Sequence, residues 1–115
     1  MSTDSIVKQK SLDFAVRAVN LYRYLTEQQH EYVMSKQVLR SGTSIGANIT
    51  EAIYGSSRRD FVAKLQIARK EAAETKYWLE LLHRCGYIDN IQYQSLLEDC
   101  NEIMMLLTST IKTCT

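Results

Sequence analysis

The chain of 115 residues, 45% of them hydrophobic and 23% charged, is long enough for one domain with a hydrophobic core and too short for two. It has no proline and only four glycines, which excludes the turn-rich architectures of sheet proteins and predicts long, uninterrupted helices. The formal net charge of +1 gives by itself no electrostatic argument for a nucleic-acid partner.

The same composition bears on location and cofactors. No stretch approaches the roughly 20 apolar residues of a membrane span, and Lys8 and Lys10 interrupt the segment where a signal peptide needs an apolar run. The three cysteines lie far apart without a C-x-x-C pair, which favours a reducing compartment over a zinc site or a disulfide framework. We expect a cytoplasmic protein with no membrane contact and no cofactor.

The first two predicted helices cover residues 4–27 and 35–54. Ser35 is expected to cap the second helix at its start, and Gly55 to end it in the left-handed conformation. Apolar residues of the first helix recur at steps of three and four, which makes one buried face. That face holds Phe14, Ala18, Leu21 and Leu25.

The third and fourth predicted helices cover residues 57–85 and 89–112. Ser57 and Asp89 are the expected N-caps, with Asp60 and Gln92 in the capping-box positions, and Gly86 stops the third helix. Both helices carry regular apolar stripes. The stripes are Phe61, Leu65, Ala68, Ala72, Thr75, Leu79 and Leu82, and then Leu96, Cys100, Ile103, Leu107 and Ile111.

Four helices of similar length with short connections bury their apolar stripes most simply as an antiparallel, up-down-up-down bundle. The sequence therefore predicts an all-α four-helix bundle that forms a single domain over residues 1–115.

The second helix contains a stretch of very small side chains around Gly42 and Gly46. Two glycines inside a helix each cost about 1 kcal/mol relative to alanine, so packing or function must compensate. The stretch lacks the Gly-Lys-Ser/Thr ending of a phosphate-binding loop. Close approach of a neighbouring helix is the favoured interpretation.

Polar residues line the facing sides of the second and third helices. The pattern is compatible with a catalytic site, but a network that fixes helix register is favoured because each charge has an opposite partner. In an antiparallel hairpin, Arg40 faces Glu71 or Glu74, and Lys64 faces Asn48 or Glu51. The proposed network comprises Arg40, Ser44, Asn48, Glu51, Glu71 and Glu74.

The near-neutral total charge is a cancellation. Residues 57–85 hold seven basic and four acidic side chains, a formal charge of +3, and residues 89–112 hold one basic and four acidic, −3. Either the two helices are neighbours with complementary charge, or the basic helix forms a binding surface. The candidates for phosphate contact are Arg58, Arg59, Lys64, Arg69 and Lys70.

No reaction is predicted. Glu80 and His83 form one Glu-x-x-His pair of the kind found in di-iron bundles, but such a site needs a second pair, and the chain has only two histidines. No serine lies in a glycine elbow and no cysteine has an activating context. We expect neither catalytic residues nor a small-molecule substrate.

The segments SKQVLRSGTSIGANITEA at 35–52, SSRRDFVAKLQIARKEAAETKYWLELL at 56–82 and GYID at 86–89 resemble the 23S rRNA intervening-sequence proteins. This resemblance implies a four-helix bundle that assembles into a homo-oligomer, a pentameric ring. It also implies kinship with the accessory proteins of diversity-generating retroelements and hence a nucleic-acid role. The expectation is a non-enzymatic scaffold that binds RNA or a protein, and the alternative is a structural or protein-binding bundle with no nucleic-acid role.

Overall fold

The computed structural model describes residues 3–115 and consists of four helices; Met1 and Ser2 of the predicted domain lie outside the described residues. The helices begin and end within two residues of the predicted bounds. They are α1 (Thr3–Glu27), α2 (Met34–Ile53), α3 (Arg58–Arg84) and α4 (Asn90–Cys114).

The helices form an elongated bundle of 44 × 22 × 21 Å. Each helix packs against its two neighbours in the cyclic order α1, α2, α3, α4, and in the described part of the chain no Cα atoms of diagonal helices lie within 8 Å of each other. Short connections force successive helices to run antiparallel. The predicted all-α, up-down-up-down four-helix bundle is confirmed. Among the described residues, no helix is both long and apolar enough to cross a bilayer.

The core consists of the predicted apolar stripes. The four stripe residues of α1 and the five of α4 are buried, and so are six of the seven in α3, where Phe61 at the open end is half-buried. Thr75 is the polar exception in the α3 stripe. Its hydroxyl donates to the Ser41 hydroxyl at 2.9 Å, so this core position still satisfies its polar atom.

Local signals predicted some helix ends and failed at others. Asp89 and Gln92 form the predicted capping box, and Gly86 follows α3 with a positive φ of 82°. Ser57 accepts the predicted bond from the Asp60 N–H at 3.1 Å, but the Asp60 side chain returns none. Gly55 was expected in the left-handed region, and this is wrong, because Gly86 is the positive-φ glycine of the described chain. Gly55 instead gives room to the Asp60 carboxylate, which lies 2.5 Å from the position of a Cβ.

The start of α2 departs most from the prediction. Ser35 is not the N-cap, because the helix already begins at Met34 and Ser35 is buried in its first turn. The Glu31 carboxylate caps the helix instead. It accepts the N–H bonds of Val33 at 3.1 Å, Met34 at 3.0 Å and Ser35 at 2.7 Å. Three donors that a helix start leaves unpaired are thus satisfied by one buried side chain.

Gly42 and Gly46 let α2 approach α1 closely. A Cβ on Gly42 would stand 2.9 Å from the Cβ of Ala18, and one on Gly46 would stand 3.2 Å from the Ser11 hydroxyl oxygen. Methyl groups at optimal separation are about 3.5–4.0 Å apart, so a side chain at Gly42 would push the two helices apart.

The Glu31 cap generates a test of pH dependence. Burial disfavours the charged carboxylate, but the bonds from Met34, Ser35 and Val33 outweigh it and lower the pKa of Glu31 below its ordinary 4.5. A lowered pKa stabilises the fold above the ordinary value, and this contribution is lost as the pH falls through the lowered one. We expect Glu31→Gln to reduce the free energy of unfolding by about 1–2 kcal/mol at pH 7. Denaturant unfolding should also show a flatter acid dependence, and an unchanged acid profile would contradict the assignment.

The α1–α2 contact generates a second test. Gly42→Ala should lower the free energy of unfolding by about 1 kcal/mol, because overpacking of about 1–3 kcal/mol outweighs the gain of about 1 kcal/mol in helix propensity. Denaturant unfolding of Gly42→Ala, Ala18→Gly and the double variant measures the coupling. The double variant should lose less free energy of unfolding than the two single variants lose together. A stabilised Gly42→Ala single variant would show that the contact is not tight.

Candidate nucleic-acid interface

Ion pairs join α2 to α3. The Arg40 guanidinium donates to the Glu71 carboxylate at 2.9 Å and also to Glu74, while Lys64 lies 3.2 Å from a Glu51 carboxylate oxygen. The structure therefore brings together opposite charges of the predicted network, and Lys64 pairs with Glu51 rather than with Asn48. In each facing pair the two residue numbers add up to between 111 and 115. A nearly constant sum is the register expected for an antiparallel hairpin that turns at Gly55.

Ser44 and Asn48 correct the predicted network. The Ser44 hydroxyl donates to the carbonyl of Arg40 at 2.6 Å, and the Asn48 amide donates to the carbonyl of Ser44 at 2.8 Å. Both bonds lie within α2, four residues apart along the helix. Short polar side chains on a helix find a backbone carbonyl in the preceding turn before they reach a neighbouring helix.

Glu74 is the centre of the α2–α3 contact. The Trp78 indole N–H donates to its carboxylate at 2.9 Å, and this bond together with Arg40 lowers the pKa of Glu74. The bond to Glu74 is also the main cause of a raised pKa at Arg40, with a smaller contribution from Glu71. The sequence pattern did not include Trp78 in the network. Its position four residues after Glu74 on the same helix face is the signal for that bond.

Two acidic residues of α4, Asp99 and Glu102, pair with α1. Lys10 forms an ion pair with Glu102, and the Arg17 guanidinium donates to Asp99 at 2.6 Å and to the backbone carbonyl of Ser95 at 3.2 Å. Among the side chains described, from residue 5 onwards, no ion pair joins α3 to α4. α3 and α4 are neighbours in the bundle, but their described side chains of opposite charge do not form ion pairs with each other.

The consequence is a set of basic side chains on α3 without an acidic partner in the described part of the chain. Lys64 does not belong to it, because Glu51 binds its ammonium group. The other four candidates do belong, and so does Lys76. We call this set the basic surface of α3: Arg58, Arg59, Arg69, Lys70 and Lys76.

The helical repeat arranges the basic surface of α3 in two rows. Arg58, Arg69 and Lys76 are 11 and 7 residues apart and form one row, while Arg59 and Lys70 form a neighbouring row. The first row runs along α4. Burial raises the pKa of the Cys100 thiol of α4 to about 12, and the charge of Lys76 acts on the same thiol in the opposite direction. Lys76 was missed as a candidate although its seven-residue spacing from Arg69 points to it.

The end of this surface is a groove between two helix termini. The groove is lined by Arg58, Arg59, Val62 and Gln66 of α3 together with Cys114, the last residue of α4, and Thr115 after it. Both arginines lie in the first turn of α3, where unpaired backbone N–H groups add positive potential. The two guanidinium groups can donate to phosphate oxygens, while the C-terminal end of α4 on the other side of the groove contributes carbonyl oxygens and negative potential.

The Glu80 and His83 pair does not make a metal centre. Glu80 pairs with Arg84 at 3.0 Å, and the His83 ring stacks on Tyr93 with centroids 4.4 Å apart. Within the described residues, no group of three His, Cys, Asp or Glu side chains could hold a metal ion.

Comparison with known proteins agrees with the fold. A sequence model described as "23S rRNA-intervening sequence protein" matches residues 3–109. A crystal structure of a protein with unknown function from the S23 ribosomal protein family of Bacteroides thetaiotaomicron is similar to this chain, with 61% identity and a TM-score of 0.96. The match covers 96% of this chain and 99% of that one. No curated protein matches significantly.

Proposed function

The chain belongs to the family of 23S rRNA-intervening sequence proteins, and from that premise we propose that it is a non-enzymatic, homo-oligomeric scaffold that binds RNA through the basic surface of α3. The single observation that carries the proposal is the absence of acidic partners for these five cations among the described side chains. Unpaired cations on a rigid helix can release counterions from phosphates without first breaking an internal ion pair.

Assembly multiplies a modest surface. One subunit with a formal net charge of +1 attracts nucleic acid weakly, whereas several copies in one ring present several basic surfaces to the same strand. A pentamer, the expected state, would combine 25 such cations. The proposal therefore needs an assembly in which α3 faces outward, in the cytoplasm where RNA is available.

The α1–α2 side of the bundle is the face that we propose for assembly. Leu12 and Val16 lie one turn apart on α1 and are 57% and 54% exposed, a large apolar area for a free surface. Beside Leu12, the small side chains Ala15, Gly46 and Ala47 line a shallow groove. A second copy of this chain is the chosen occupant, because a contact between this apolar face and a different face of the next copy closes into a symmetric ring when the rotation fits.

A protein-binding bundle without a nucleic-acid role is the second candidate function. The same exposed apolar side chains of α1 favour it, because they could contact another protein. Nucleic acid that copurifies with the protein, seen in its ultraviolet absorbance spectrum, would favour RNA binding over this alternative.

Salt dependence tests RNA binding. The probe is a labelled RNA stem-loop with an oligouridine tail, whose affinity should fall steeply as salt rises. Replacing Arg69 and Lys70 together by alanine should reduce the slope of log affinity against log salt by about 0.7–0.9 for each phosphate that the variant no longer binds. Lys36→Ala is the matched control, since Lys36 is an exposed lysine of α2 that forms no ion pair with any side chain described. The proposal would be rejected if the RNA did not bind at low salt. It would also be rejected if the slope of log affinity against log salt were the same for the Arg69 and Lys70 double variant as for the Lys36→Ala control.

Light scattering on a sizing column tests assembly. The unmodified chain should have the mass of a homo-oligomer, and Leu12→Asp should reduce it to that of the monomer, because a buried unpaired carboxylate is strongly unfavourable. Met105→Asp is the control, since Met105 is 71% exposed on α4. A monomeric parent protein would refute assembly, and dissociation by Met105→Asp but not Leu12→Asp would move the interface to α4.

A further inference from the structure

The outward side of α3 holds one row of side chains that the core does not use. Its positions recur at steps of four and three and all are exposed, so they form one continuous strip along the helix. From position 59 to position 84 the strip is about 37 Å long. The strip comprises Arg59, Ala63, Gln66, Lys70, Ala73, Tyr77, Glu80 and Arg84.

Tyr77 is the aromatic residue of this strip. Its side chain is 60% exposed, although a tyrosine ring is a large apolar group that usually packs against other residues. The ring meets that of Trp78 at a centroid distance of 5.0 Å and an interplanar angle of 75°. Such an edge contact covers at most one face of Tyr77, so the other face is open to a flat ligand.

The neighbouring Trp78 is itself held in place. Its indole N–H donates to Glu74, and Glu74 in turn binds Arg40 of α2. Tyr77 therefore stands beside a braced ring. A preorganised aromatic platform loses little conformational entropy when a ligand stacks on it.

The charges around Tyr77 that have no partner among the described side chains suit a phosphate backbone, because the two flanking carboxylates are neutralised, Glu74 by Arg40 and Glu80 by Arg84. Lys70 lies one heptad before it, about 10 Å along the helix, and Lys76 is its direct neighbour in sequence. Neither lysine has an ion-pair partner among the described side chains. Ala73, one turn before Tyr77, has a small side chain that does not project between Lys70 and the ring. It leaves room for an RNA strand to lie along the helix.

An exposed aromatic ring within a basic track is the combination that single-stranded nucleic acids need. Unpaired bases stack on aromatic side chains while the backbone follows the positive charge. In a duplex the base faces are already stacked on each other, so an aromatic platform adds nothing to affinity. Cations alone would be compatible with either form of RNA, and Tyr77 is the feature that distinguishes them.

We propose that the outward strip of α3 binds single-stranded RNA, with one base stacked on Tyr77 and the adjoining phosphates bound by Lys70 and Lys76. This inference rests on the proposed function, because it specifies which form of RNA the basic surface of α3 takes. It adds a base-contacting residue to a surface otherwise made of cations.

Binding of labelled oligouridine, compared with a blunt duplex of oligouridine and oligoadenine, tests the inference. Tyr77→Ala should weaken oligouridine binding by about tenfold, while Tyr77→Phe keeps the parent affinity because the ring and not the hydroxyl does the stacking. Neither variant should change duplex binding. Tyr32→Ala is the matched control, since Tyr32 is an exposed tyrosine in the connection before α2. The single tryptophan, Trp78, provides a second readout, because a base on Tyr77 should quench its fluorescence.

Different failures are distinguishable. The single-strand inference would be overturned if Tyr77→Ala left the affinity for oligouridine unchanged, or if it weakened duplex binding equally. Either result would leave RNA binding by the basic surface of α3 standing. Absence of binding to either probe would overturn both proposals. A change of oligomeric mass in Tyr77→Ala would show that the strip contacts another subunit, and this too would overturn the inference.

Discussion

Ion pairs lie at only two of the four helix interfaces of the described bundle, and the rest of the structure depends on that division. Arg40 and Lys64 join α2 to α3, and Lys10 and Arg17 join α4 to α1. These side chains are substantially exposed, so each pair adds little to stability, and the buried apolar stripes supply most of it. The pairs instead determine which cations of the described bundle are neutralised and which are left free.

The two interfaces without ion pairs lie on opposite sides of the bundle, because the helices follow each other in cyclic order. Between α1 and α2 the contact is close and nearly free of charge, with Gly42 against Ala18. Between α3 and α4 the described side chains form no ion pair, because Asp99 and Glu102 of α4 pair with α1, and the cations of α3 are left unneutralised. A ring that uses the first side needs a different contact face on the next copy, so the two proposed roles are compatible if that face leaves the outward side of α3 uncovered.

Local sequence signals predicted structure wherever the interacting groups are close along the chain. The Asp89 and Gln92 capping box needs only three residues of separation, and its geometry follows from the helix itself. The start of α2 failed for the opposite reason. Ser35 has the chemistry of an N-cap, but burial of α2 places it inside the first turn, and the Glu31 carboxylate reaches the free N–H groups from the preceding connection. Likewise, Ser44 and Asn48 share a helix face with Arg40, yet their short side chains reach only carbonyls of their own helix.

The sequence by itself determined the four helices, their apolar stripes and the hairpin register of α2 and α3, because helical periodicity and the absence of proline act within single segments. Membership of the 23S rRNA-intervening sequence family was also legible in the residues of the second and third helices. Only the tertiary structure decided which charges neutralise each other. Distance along the chain does not predict the pairing, since Asp99 pairs with Arg17, 82 residues away, and not with the nearer Lys76. The rotation of α4 about its own axis selects Lys10 and Arg17 over α3. That rotation is set by burial of the apolar stripe, a property of the packed bundle, and it is the reason that the basic surface of α3 is free.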